Sequence, residues 1–562
     1  MTSRRQFVHQ GAASLLGAAL PLPFVAGRTP APSGFLDLAR APDLITVRTA
    51  SGDQQLHGGG AGEWNGAGLS VRTVNVPGGA LHVEFSAPAI AVLRVGLRWR
   101  GRLDTTRLLV GDAWERGYGD LEWREFVPDR VMPWYVMAWD GARTNGYGVR
   151  TGANAFCSWQ VDPAGITLWA DVRSGGTAVQ LGARELAVCD VVCRAGRVGE
   201  SAFAALRAFC RQMCPDPRLP AEPVYGSNDW YWAYGKNSTP TVTADAQHIV
   251  ELSPAGGNRP FVVIDDGWQP GRGADKAGTG TWDRGNDKFP DLPGLVAGIE
   301  RIGGRAGIWI RPLEAPADAP DSWRLSRDRT VLDPTVPAVR AKIAADIRRL
   351  GHWGMGLIKH DYTTFDLFGR WGNQMGSALT REGWTFAEGP RRTTAEVINE
   401  LYQTIHEAAS GALVIGCNTV SHLSAGQFEI CRIGDDTSGR DWPRTRKMGV
   451  NTLAFRGAQH GAFYTADADC VGVTNAVPWE LNRQWLDLLA RSGTMLFVSL
   501  APDALGAEQR RDLRAALALA ARQQPLGEPL DWQRSVWPTR WRLIGAEHSY
   551  DWGDPYGSAQ DR

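Results

Sequence analysis

Short apolar runs alternate with helix-like stretches over the second half of the chain, and this alternation is the feature that most constrains the fold. The predicted strands are 224–230, 260–264, 306–310, 356–359, 412–416, 429–433, 451–453 and 493–498. Predicted helices lie between them, at 243–252, 292–302, 336–352, 395–409, 478–490 and 507–522. Eight strands that alternate with helices are typical of a (β/α)8 TIM barrel, an α/β fold. The sequence therefore predicts a barrel over residues 215–525.

The preceding region, residues 33–205, has a different pattern. Its β-branched or alternating runs are short and are separated by Gly, Pro and Asp; they lie at 69–76, 81–85, 91–98, 165–172 and 186–192. Many strands without intervening helices are typical of a β-sandwich. We therefore expect an N-terminal β-sandwich before the barrel, linked to it by a helix at 201–214. Residues 526–562 are predicted to form a short C-terminal β-like segment.

The first 30 residues have the pattern of a twin-arginine export signal. The run Ser3-Arg-Arg-Gln-Phe-Val8 precedes an apolar stretch of small residues at 11–26, which Pro21 and Pro23 interrupt. Such a stretch is too short and too rich in small residues to span a membrane. The segment predicts a periplasmic or secreted protein, and no later apolar run is long enough for a transmembrane helix.

The composition excludes some function classes. Lys plus Arg and Asp plus Glu number 60 each, so the formal net charge is zero and nothing indicates a nucleic-acid partner. The 24 Trp residues would suit flat apolar walls in a sugar-binding cleft. The eight Cys residues lack C-x-x-C spacing, so buried thiols are expected, with one or two bridges left open. No pattern of metal ligands is present, and the sequence predicts neither a metal nor a cofactor.

Polar and aromatic residues follow the predicted strands at the places where a barrel carries its active site. They are Asn228-Asp-Trp230, Asp265-Asp-Gly-Trp268, Trp309 with Arg311, Lys359 with Asp361, Cys417, and Arg432-Ile-Gly-Asp-Asp436. Carboxylate pairs beside aromatic walls fit glycoside hydrolysis, in which carboxyls about 5–5.5 Å apart retain the anomeric configuration and more distant ones invert it. Asp361 and an Asp of the 435–436 pair follow strands two steps apart, so they can meet across the barrel mouth. At this point both stereochemical outcomes are open.

Six motifs, in order over about residues 224–500, resemble a known group of enzymes. They are Phe261-Val-Val-Ile-Asp-Asp-Gly-Trp-Gln269, Phe289-Pro-Asp-Leu-Pro-Gly-Leu295, Gly307-Ile-Trp-Ile-Arg-Pro312, Lys359-His-Asp361, Gly416-Cys417 followed by Arg432-Ile-Gly-Asp-Asp-Thr437, and Ala466-Asp-Ala-Asp-Cys470. The set resembles the α-galactosidase clan, glycoside hydrolase families 27 and 36, and family 36 is the closer match. The predicted N-terminal sandwich also suits family 36.

The resemblance implies a role for each matching residue. Asp361 is the nucleophile and Asp436 the acid/base, with Asp435 as second choice because relatives often have Pro there. Arg432 precedes the acid/base by four positions, and Cys417 lies near the sugar 2-position. Lys359 contacts ring hydroxyls, and Asp265 and Asp266 bind the far hydroxyls of galactose. Trp230, Trp268 and Trp309 are predicted to line the pocket.

Chemistry adds two expectations to these roles. Lys359 should keep Asp361 ionised, whereas a neighbouring carboxylate such as Asp435 should raise the pKa of Asp436 so that it can act as an acid. Arg311 stands where relatives often have an uncharged or acidic residue. Because an arginine offers a fork of donors, we hypothesise that Arg311 binds a substrate carboxylate or differently placed hydroxyls.

The sequence thus predicts an exported retaining α-glycosidase, most closely an α-galactosidase, whose partner is a carbohydrate substrate. Alternatives with the same machinery are an α-N-acetylgalactosaminide, a β-L-arabinopyranoside or an acidic glycoside as substrate. A galactosyltransferase and a non-catalytic carbohydrate-binding protein are further alternatives. Relatives often oligomerise, so the resemblance also allows a homo-oligomer.

Overall fold

Three sheets organise the protein. The structure, a computed structural model, describes residues 34–60, 62–271, 279–555 and 557. Strands in this described portion form sheets of 13, nine and three strands. The predicted export signal lies outside the described residues.

The first sheet is antiparallel and forms the N-terminal sandwich. Its strands are β1 (Leu44–Thr49), β2 (Gly52–Gly60), β3 (Glu63–Gly66), β4 (Leu69–Val76), β5 (Ala80–Ser86), β6 (Val92–Arg100), β7 (Leu108–Gly111), β8 (Met132–Pro133), β9 (Tyr135–Trp139), β10 (Thr144–Val149), β11 (Phe156–Asp162), β12 (Gly165–Asp171) and β13 (Leu186–Arg194). The strand order is β7-β9-β10-β13-β5-β4-β3-β2-β1-β6-β12-β11-β8. The first half of β2 pairs with β1 and its second half with β3, so β2 passes from one layer to the other.

The alternation predicted for these strands places apolar side chains between the layers. In β1, Ile45, Val47 and Thr49 are buried, and the alternate residues Leu44, Thr46 and Arg48 are partly exposed. Trp99, Trp134 and Trp159 are fully buried in this core. Because burying one large apolar side chain stabilises the fold by about 1.5–3 kcal/mol, such residues are a main source of the sandwich's stability.

The second sheet is parallel and forms the barrel. Its strands are β14 (Tyr225–Asn228), β15 (Phe261–Ile264), β16 (Arg305–Ile310), β17 (Leu357–His360), β18 (Leu413–Gly416), β19 (Ile430–Arg432), β20 (Thr465–Asp467), β21 (Val471–Val473) and β22 (Leu496–Leu500). Neighbours along the chain from β14 to β20 pair with each other, β21 pairs with β22, and β22 pairs with β14. The predicted fold, a TIM barrel preceded by a sandwich, is confirmed.

Helices cover the barrel and link it to the sandwich. They are α1 (Ala202–Met213), α2 (Trp230–Ala233), α3 (Thr239–Leu252), α4 (Leu292–Ile302), α5 (Pro337–His352), α6 (Thr363–Phe368), α7 (Thr394–Ala409), α8 (Ser421–Ser424), α9 (Trp442–Thr445), α10 (Asn451–Arg456), α11 (Trp479–Arg491) and α12 (Ala507–Ala520). A π-helical turn, Arg446–Val450, joins α9 to α10. Helix α1 begins where the Ser201 hydroxyl accepts a hydrogen bond from Ala204 N at 3.1 Å, a typical N-cap.

The predicted seventh strand, 451–453, was wrong. Asn451-Thr-Leu453 opens helix α10, and the seventh strand position is shared by β20 and β21. Strand β20 pairs with β19, while β21 pairs with β22, so the two short strands together close the ring. Asp469, between them, has a φ of 74°, a left-handed conformation that interrupts the strand. Each part is only three residues long and carries too little periodic signal to be recognised.

Alternate residues of the barrel strands point into the barrel interior. The same rows of side chains end in residues of the site. Val263 and Leu357 belong to the buried interior cluster. Because side chains on a strand repeat every second residue, Asp265 and Lys359 continue those two inward rows at the carboxyl ends. Strand geometry alone thus places polar groups at the barrel mouth.

The remaining described segments add no further large domain. Strands β23 (Glu528–Pro529), β24 (Arg540–Leu543) and β25 (Ala546–Ser549) form the small third sheet within 526–562. The eight cysteines, all within the described ranges, are free, and only Cys193 is partly exposed; the bridges left open by the sequence are not formed. Over the described residues, no helix has the length and apolar character needed to cross a bilayer.

Candidate active site

A cavity of about 430 Å³ opens at the carboxyl ends of the barrel strands. It is lined by Arg116, Tyr118, Trp230, Asp265, Asp266, Trp309, Lys359, Asp361, Tyr362, Trp371, Asn373, Gln374, Cys417, Asn418, Asp435, Asp436, Arg444, Lys447 and Met448. Eight of the predicted site residues are among them: Trp230, Asp265, Asp266, Trp309, Lys359, Asp361, Cys417 and Asp436. A cavity of this size suits a small polar ligand.

Asp361 follows β17 directly, and two donors hold its carboxylate. Trp309 Nε1 donates to Oδ2 at 2.9 Å, and Tyr362 N donates to Oδ1 at 2.7 Å. Tyr362 has a φ of 66°, which is uncommon for a residue with a side chain and costs conformational energy. Both donors fix the orientation of the carboxyl group, which lines the cavity.

A buried ion pair forms the floor of the cavity. Lys359 Nζ lies 2.6 Å from Asp265 Oδ2, and Asn228 Nδ2 donates to the same oxygen at 2.7 Å. Burial alone would lower the pKa of Lys359, but the nearby negative groups, Asp265 first among them, together outweigh it and raise that pKa well above its usual value. Behind this pair, burial and then the Asp265 charge raise the pKa of Asp229 to about 7. Asp266 lines the cavity and accepts from Gln269 Nε2 at 2.7 Å.

The opposite wall carries Asp435 and Asp436, which follow β19. Asp435 pairs with Arg116 at 2.6 Å and with Arg444 at 2.7 Å. Asp436 Oδ1 accepts from Arg432 Nη1 at 3.1 Å, while solvent reaches its side chain, which is 39% exposed. The two adjacent carboxylates therefore face different partners.

The expected pKa shift of Asp436 was wrong in direction. Burial alone would raise its pKa, but the positive charges of Arg116, Arg432, Lys359 and Arg444 outweigh burial and lower it to about 2. The sequence argument considered only the neighbouring Asp435. Asp435 contributes less repulsion than expected because two guanidinium groups neutralise it.

A loop of the N-terminal sandwich completes the site. Gly117 N donates to Ile433 O at 2.8 Å, and Asp435 N donates to Gly117 O at 2.8 Å, so the loop adds a short bridge beside β19. This brings Arg116 within 3.7 Å of Asp436. Sequence reasoning missed Arg116 and Tyr118, because an isolated loop residue more than 300 positions upstream gives no periodic signal.

The same loop carries a second buried carboxyl group. Glu115 Oε2 accepts from the Tyr118 hydroxyl at 2.8 Å and from Gly372 N at 2.8 Å. Burial raises the pKa of Glu115 to about 7, although Arg116 opposes that rise. When the Asn418 amide is oriented to suit its neighbours, it donates to Glu115 and accepts from Arg116. The sandwich loop and the barrel are thus joined by a buried polar network.

Three predicted substrate contacts do not line the cavity. Trp268 is fully buried and donates to Trp309 O at 2.8 Å, so it supports the cavity wall from behind. Arg432 is buried between Asp467 at 3.3 Å and Asp469 at 2.7 Å, and it reaches the site only through Asp436. Both side chains position other groups.

Arg311, the third of these, has its charge already paired. Its guanidinium lies 2.7 Å from the buried carboxylate of Asp366 and stacks over the Tyr362 ring at 4.6 Å. It therefore holds α6 and Tyr362 in place. The sequence did not reveal Asp366 as its partner.

Aromatic rings and a thiol supply the rest of the lining. Trp230, Trp309, Tyr362 and Trp371 give the cavity flat walls, of which Tyr362 and Trp371 were not predicted. Cys417 lines the cavity as a thiol, and burial raises its pKa well above the usual value. Among the described residues, no group of three or more His, Cys, Asp or Glu side chains is arranged to hold a metal ion.

Solved α-galactosidases share this fold, a barrel preceded by a sandwich. TtGalA, the α-galactosidase of Thermus thermophilus solved with p-nitrophenyl α-D-galactopyranoside, is similar with a TM-score of 0.58 and 17% identity, over 90% of this chain and 99% of its own. The family 36 α-galactosidase AgaA of Geobacillus stearothermophilus gives a TM-score of 0.57 and 15% identity, over 86% of this chain and 75% of its own. The α-galactosidase of Lactobacillus brevis gives 0.53 and 13%, over 86% and 73%.

The other two comparisons gave no match. No protein-family model matches the sequence, and a search of curated proteins found no similar sequence. At identities of 13–17%, the similarity to these solved structures shows that the protein shares their fold.

Proposed function

We propose that the protein is an exported retaining α-glycosidase and that its substrates are α-galactosides. The observation that carries the proposal is that Asp361 and Asp436 face one cavity from the ends of β17 and β19. The solved neighbours support the choice of sugar, since they are α-galactosidases and one was solved with p-nitrophenyl α-D-galactopyranoside. The twin-arginine pattern supports export.

In the first step, the Asp361 carboxylate attacks the anomeric carbon while the bond to the leaving oxygen breaks. Asp436 donates a proton to that oxygen, and a covalent glycosyl-enzyme results. The hydrogen bonds from Trp309 and Tyr362 suit Asp361 to this role, because they fix the orientation of its carboxyl group at the cavity. No metal is required in this step.

In the second step, Asp436 removes a proton from water, and the water oxygen displaces Asp361 from the anomeric carbon. Two inversions leave the sugar with its original configuration. The low pKa of Asp436 keeps it ionised, as the base of this step must be, whereas its role as an acid requires a change in its surroundings when the substrate binds.

Asp265, Asp266 and Lys359 are proposed to bind the sugar hydroxyls farthest from the scissile bond. Asp266 and Asp265 offer acceptors, and Lys359 offers a donor. These groups lie on the cavity floor and are held by the buried pair of Lys359 and Asp265, so they are rigid before the sugar arrives. A sugar epimer that leaves one of these buried groups unpaired would bind poorly.

A screen of p-nitrophenyl α- and β-glycosides tests the proposal. The wild type should hydrolyse the α-galactoside, and Asp361→Ala should abolish turnover. Azide added to Asp361→Ala should restore activity and give the β-galactosyl azide, because azide replaces the nucleophile and inverts the centre once. Asp321→Ala, at a side chain 92% exposed, is the matched control and should keep full activity. Full activity of Asp361→Ala on the best substrate contradicts the assignment.

The dependence of the hydrolysis rate on the leaving group tests whether Asp436 or Asp435 is the acid/base. Loss of a general acid should cost about 10²–10⁴-fold on substrates with poor leaving groups and much less on activated aryl glycosides. Asp436→Ala should show this split, and azide should then give the α-galactosyl azide with retained configuration. Asp435→Ala is the comparison: if it alone shows the split, Asp435 is the acid/base.

A further inference from the structure

A cationic wall stands beside Asp436, on the side of the cavity where the leaving group of the substrate departs. It consists of Arg116 from the sandwich loop, Arg444 from α9 and Lys447 from the π-helical turn, all of which line the cavity. Arg444 and Lys447 come from consecutive elements, and both side chains line the cavity.

The charges of this wall are not balanced within the protein. Asp435 is the single carboxylate that both Arg116 and Arg444 contact, at 2.6 and 2.7 Å. Lys447 is exposed, and among the described residues no ion pair or hydrogen bond of its side chain is found. When Asp436 carries the proton that it must donate, the three cations face Asp435 and Glu115, which lies 3.6 Å from Arg116 Nε and whose pKa burial raises to about 7.

Arg116 also has unused donor capacity toward the cavity. Its side chain is only 7% exposed, and Nη1 lies 3.7 Å from Asp436 Oδ1, too far for a hydrogen bond. Its buried Nε makes no hydrogen bond and lies 3.6 Å from Glu115 Oε1, so the donors that can face the cavity are those of the Nη atoms. A buried guanidinium with unsatisfied donors favours an incoming anion.

The other side of the cavity would repel an anion. Asp265, Asp266 and Asp361 lie there, and the one cation, Lys359, is already paired with Asp265. A negatively charged sugar ring is therefore disfavoured in the position that reacts. The charge must belong to the part of the substrate that leaves.

We propose that the natural substrate carries an anionic substituent, a carboxylate or a sulfate ester, on the leaving group next to the scissile bond, and that Arg116, Arg444 and Lys447 bind it. This inference rests on the proposed glycosidase function and narrows its substrate class. Binding of the anion would also offset the positive field at Asp436 and so favour the protonated form that the first step needs. After bond cleavage, the anionic product leaves with the proton that it received.

Matched aryl glycosides test this inference. The glycone is the one that the p-nitrophenyl screen finds best, and the leaving groups are 3-carboxyphenol, 3-sulfophenol and the neutral 3-carbamoylphenol. The measured quantity is the ratio of kcat/KM for each anionic substrate to kcat/KM for the neutral one. In the wild type the ratio should be about tenfold or more, as expected for one charge-assisted hydrogen bond, and it should fall as salt increases.

Substitutions then locate the binding groups. Lys447→Met and Arg444→Met should each lower the ratio toward one, whereas Lys447→Arg should retain it. Lys447 is exposed and Arg444 is 38% exposed, so both variants should fold. Arg511→Met, at an exposed arginine of α12, is the control and should leave the ratio as in the wild type.

The outcomes separate the two proposals. Hydrolysis of the neutral glycoside with a wild-type ratio near one overturns the inference and leaves the glycosidase function standing. A high ratio that Lys447→Met and Arg444→Met do not change also overturns it. A preference for the carboxylate or for the sulfonate alone identifies which anion the wall binds. Failure to hydrolyse any aryl glycoside overturns the proposed function and this inference together.

Discussion

The guanidinium of Arg116, from the N-terminal sandwich, lies 3.7 Å from Oδ1 of Asp436, at the end of a barrel strand. Among the charges that lower the pKa of Asp436, Arg116 is the largest. A residue of the sandwich therefore sets the protonation state of a barrel carboxylate. The sandwich is part of the site, and the two regions would not be expected to act independently.

Arg116→Gln should shift the pH dependence of kcat/KM. Removing the positive charge favours the protonated form of Asp436, so its pKa rises from about 2. An acid with a higher pKa stays protonated to higher pH, and the alkaline limb of the profile should therefore move upward on a neutral aryl glycoside. Arg102→Gln, at a side chain 87% exposed, is the control. An alkaline limb that stays in place or moves to lower pH contradicts the role given to Arg116.

Lys359→Met should reduce both activity and stability. The substitution leaves Asp265 buried without its cation, and breaking a buried ion pair costs about 3–5 kcal/mol of the free energy of unfolding. The double variant Lys359→Met with Asp265→Asn removes the unpaired charge and should recover most of that stability without recovering activity. Urea unfolding and kcat/KM check the two effects. Equal unfolding midpoints for the single and double variants would show that the pair does not couple.

Much of the barrel side of the site could be predicted from the sequence, because it depends on local patterns. Lys359 and Asp361 follow a short apolar strand, and Asp265 and Asp266 follow another, so parallel-strand geometry alone brings them to one mouth. The cavity contains all four. Their chemical roles stay predictions until the kinetic tests are made.

The remainder depends on contacts that no local pattern encodes. Arg116 reaches the site through a loop that pairs with residues 433–435, and Arg311 is neutralised by Asp366, 55 positions further along the chain. The field at Asp436 is the sum of charges from several elements, so its sign could not be obtained from the neighbouring Asp435 alone. Two strands of three residues likewise replaced the predicted seventh strand.

Arg311→Met should affect stability and leave substrate selection unchanged. The Asp366 side chain is fully buried, and its pKa, about 6, reflects burial opposed by Arg311. Without Arg311 that pKa rises further, and the protein should lose about 3–5 kcal/mol at neutral pH, where the carboxylate must be buried uncompensated or take up a proton. Arg311→Met with Asp366→Asn should restore part of the loss, as measured by urea unfolding.

The variant Arg311→Met also distinguishes two hypotheses about which residues bind a charged substrate. One is Arg311, and the other is the cationic wall. The ratio of kcat/KM for the 3-carboxyphenyl and 3-carbamoylphenyl glycosides should be the same in Arg311→Met and the wild type, because Arg311 does not line the cavity. Lys447→Met should lower that ratio. A lower ratio in Arg311→Met would return Arg311 to the substrate-binding residues.

Stability should fall as pH rises from about 6.5 to 8. Burial raises the pKa of Glu115 and Asp229 to about 7 and that of Asp245 to about 8. Between the usual carboxyl pKa and these values the folded state binds protons that the unfolded state releases, so raising the pH favours unfolding. Below pH about 6.5, buried neutral histidines such as His360 oppose this trend, since their lowered pKa makes the folded state bind fewer protons. The window above pH 6.5 therefore reduces the histidine contribution, and near pH 8 the buried thiols, whose pKa burial raises, add to the same decline.

Asp245→Asn tests whether buried carboxyl groups cause this fall in stability. The amide cannot ionise, yet its side-chain oxygen can still accept the Trp232 Nε1 hydrogen bond, which measures 3.3 Å in the wild type. The free energy of unfolding from urea titrations at pH 6.5, 7.0, 7.5 and 8.0 should decline less steeply in this variant than in the wild type, because one of the three buried protons no longer contributes. Asp321→Asn, at an exposed carboxylate, should keep the wild-type slope. If the wild type is equally stable at pH 6.5 and 8.0, the buried carboxyls are not held protonated by the fold; if Asp245→Asn declines as steeply as the wild type, the decline comes from other groups.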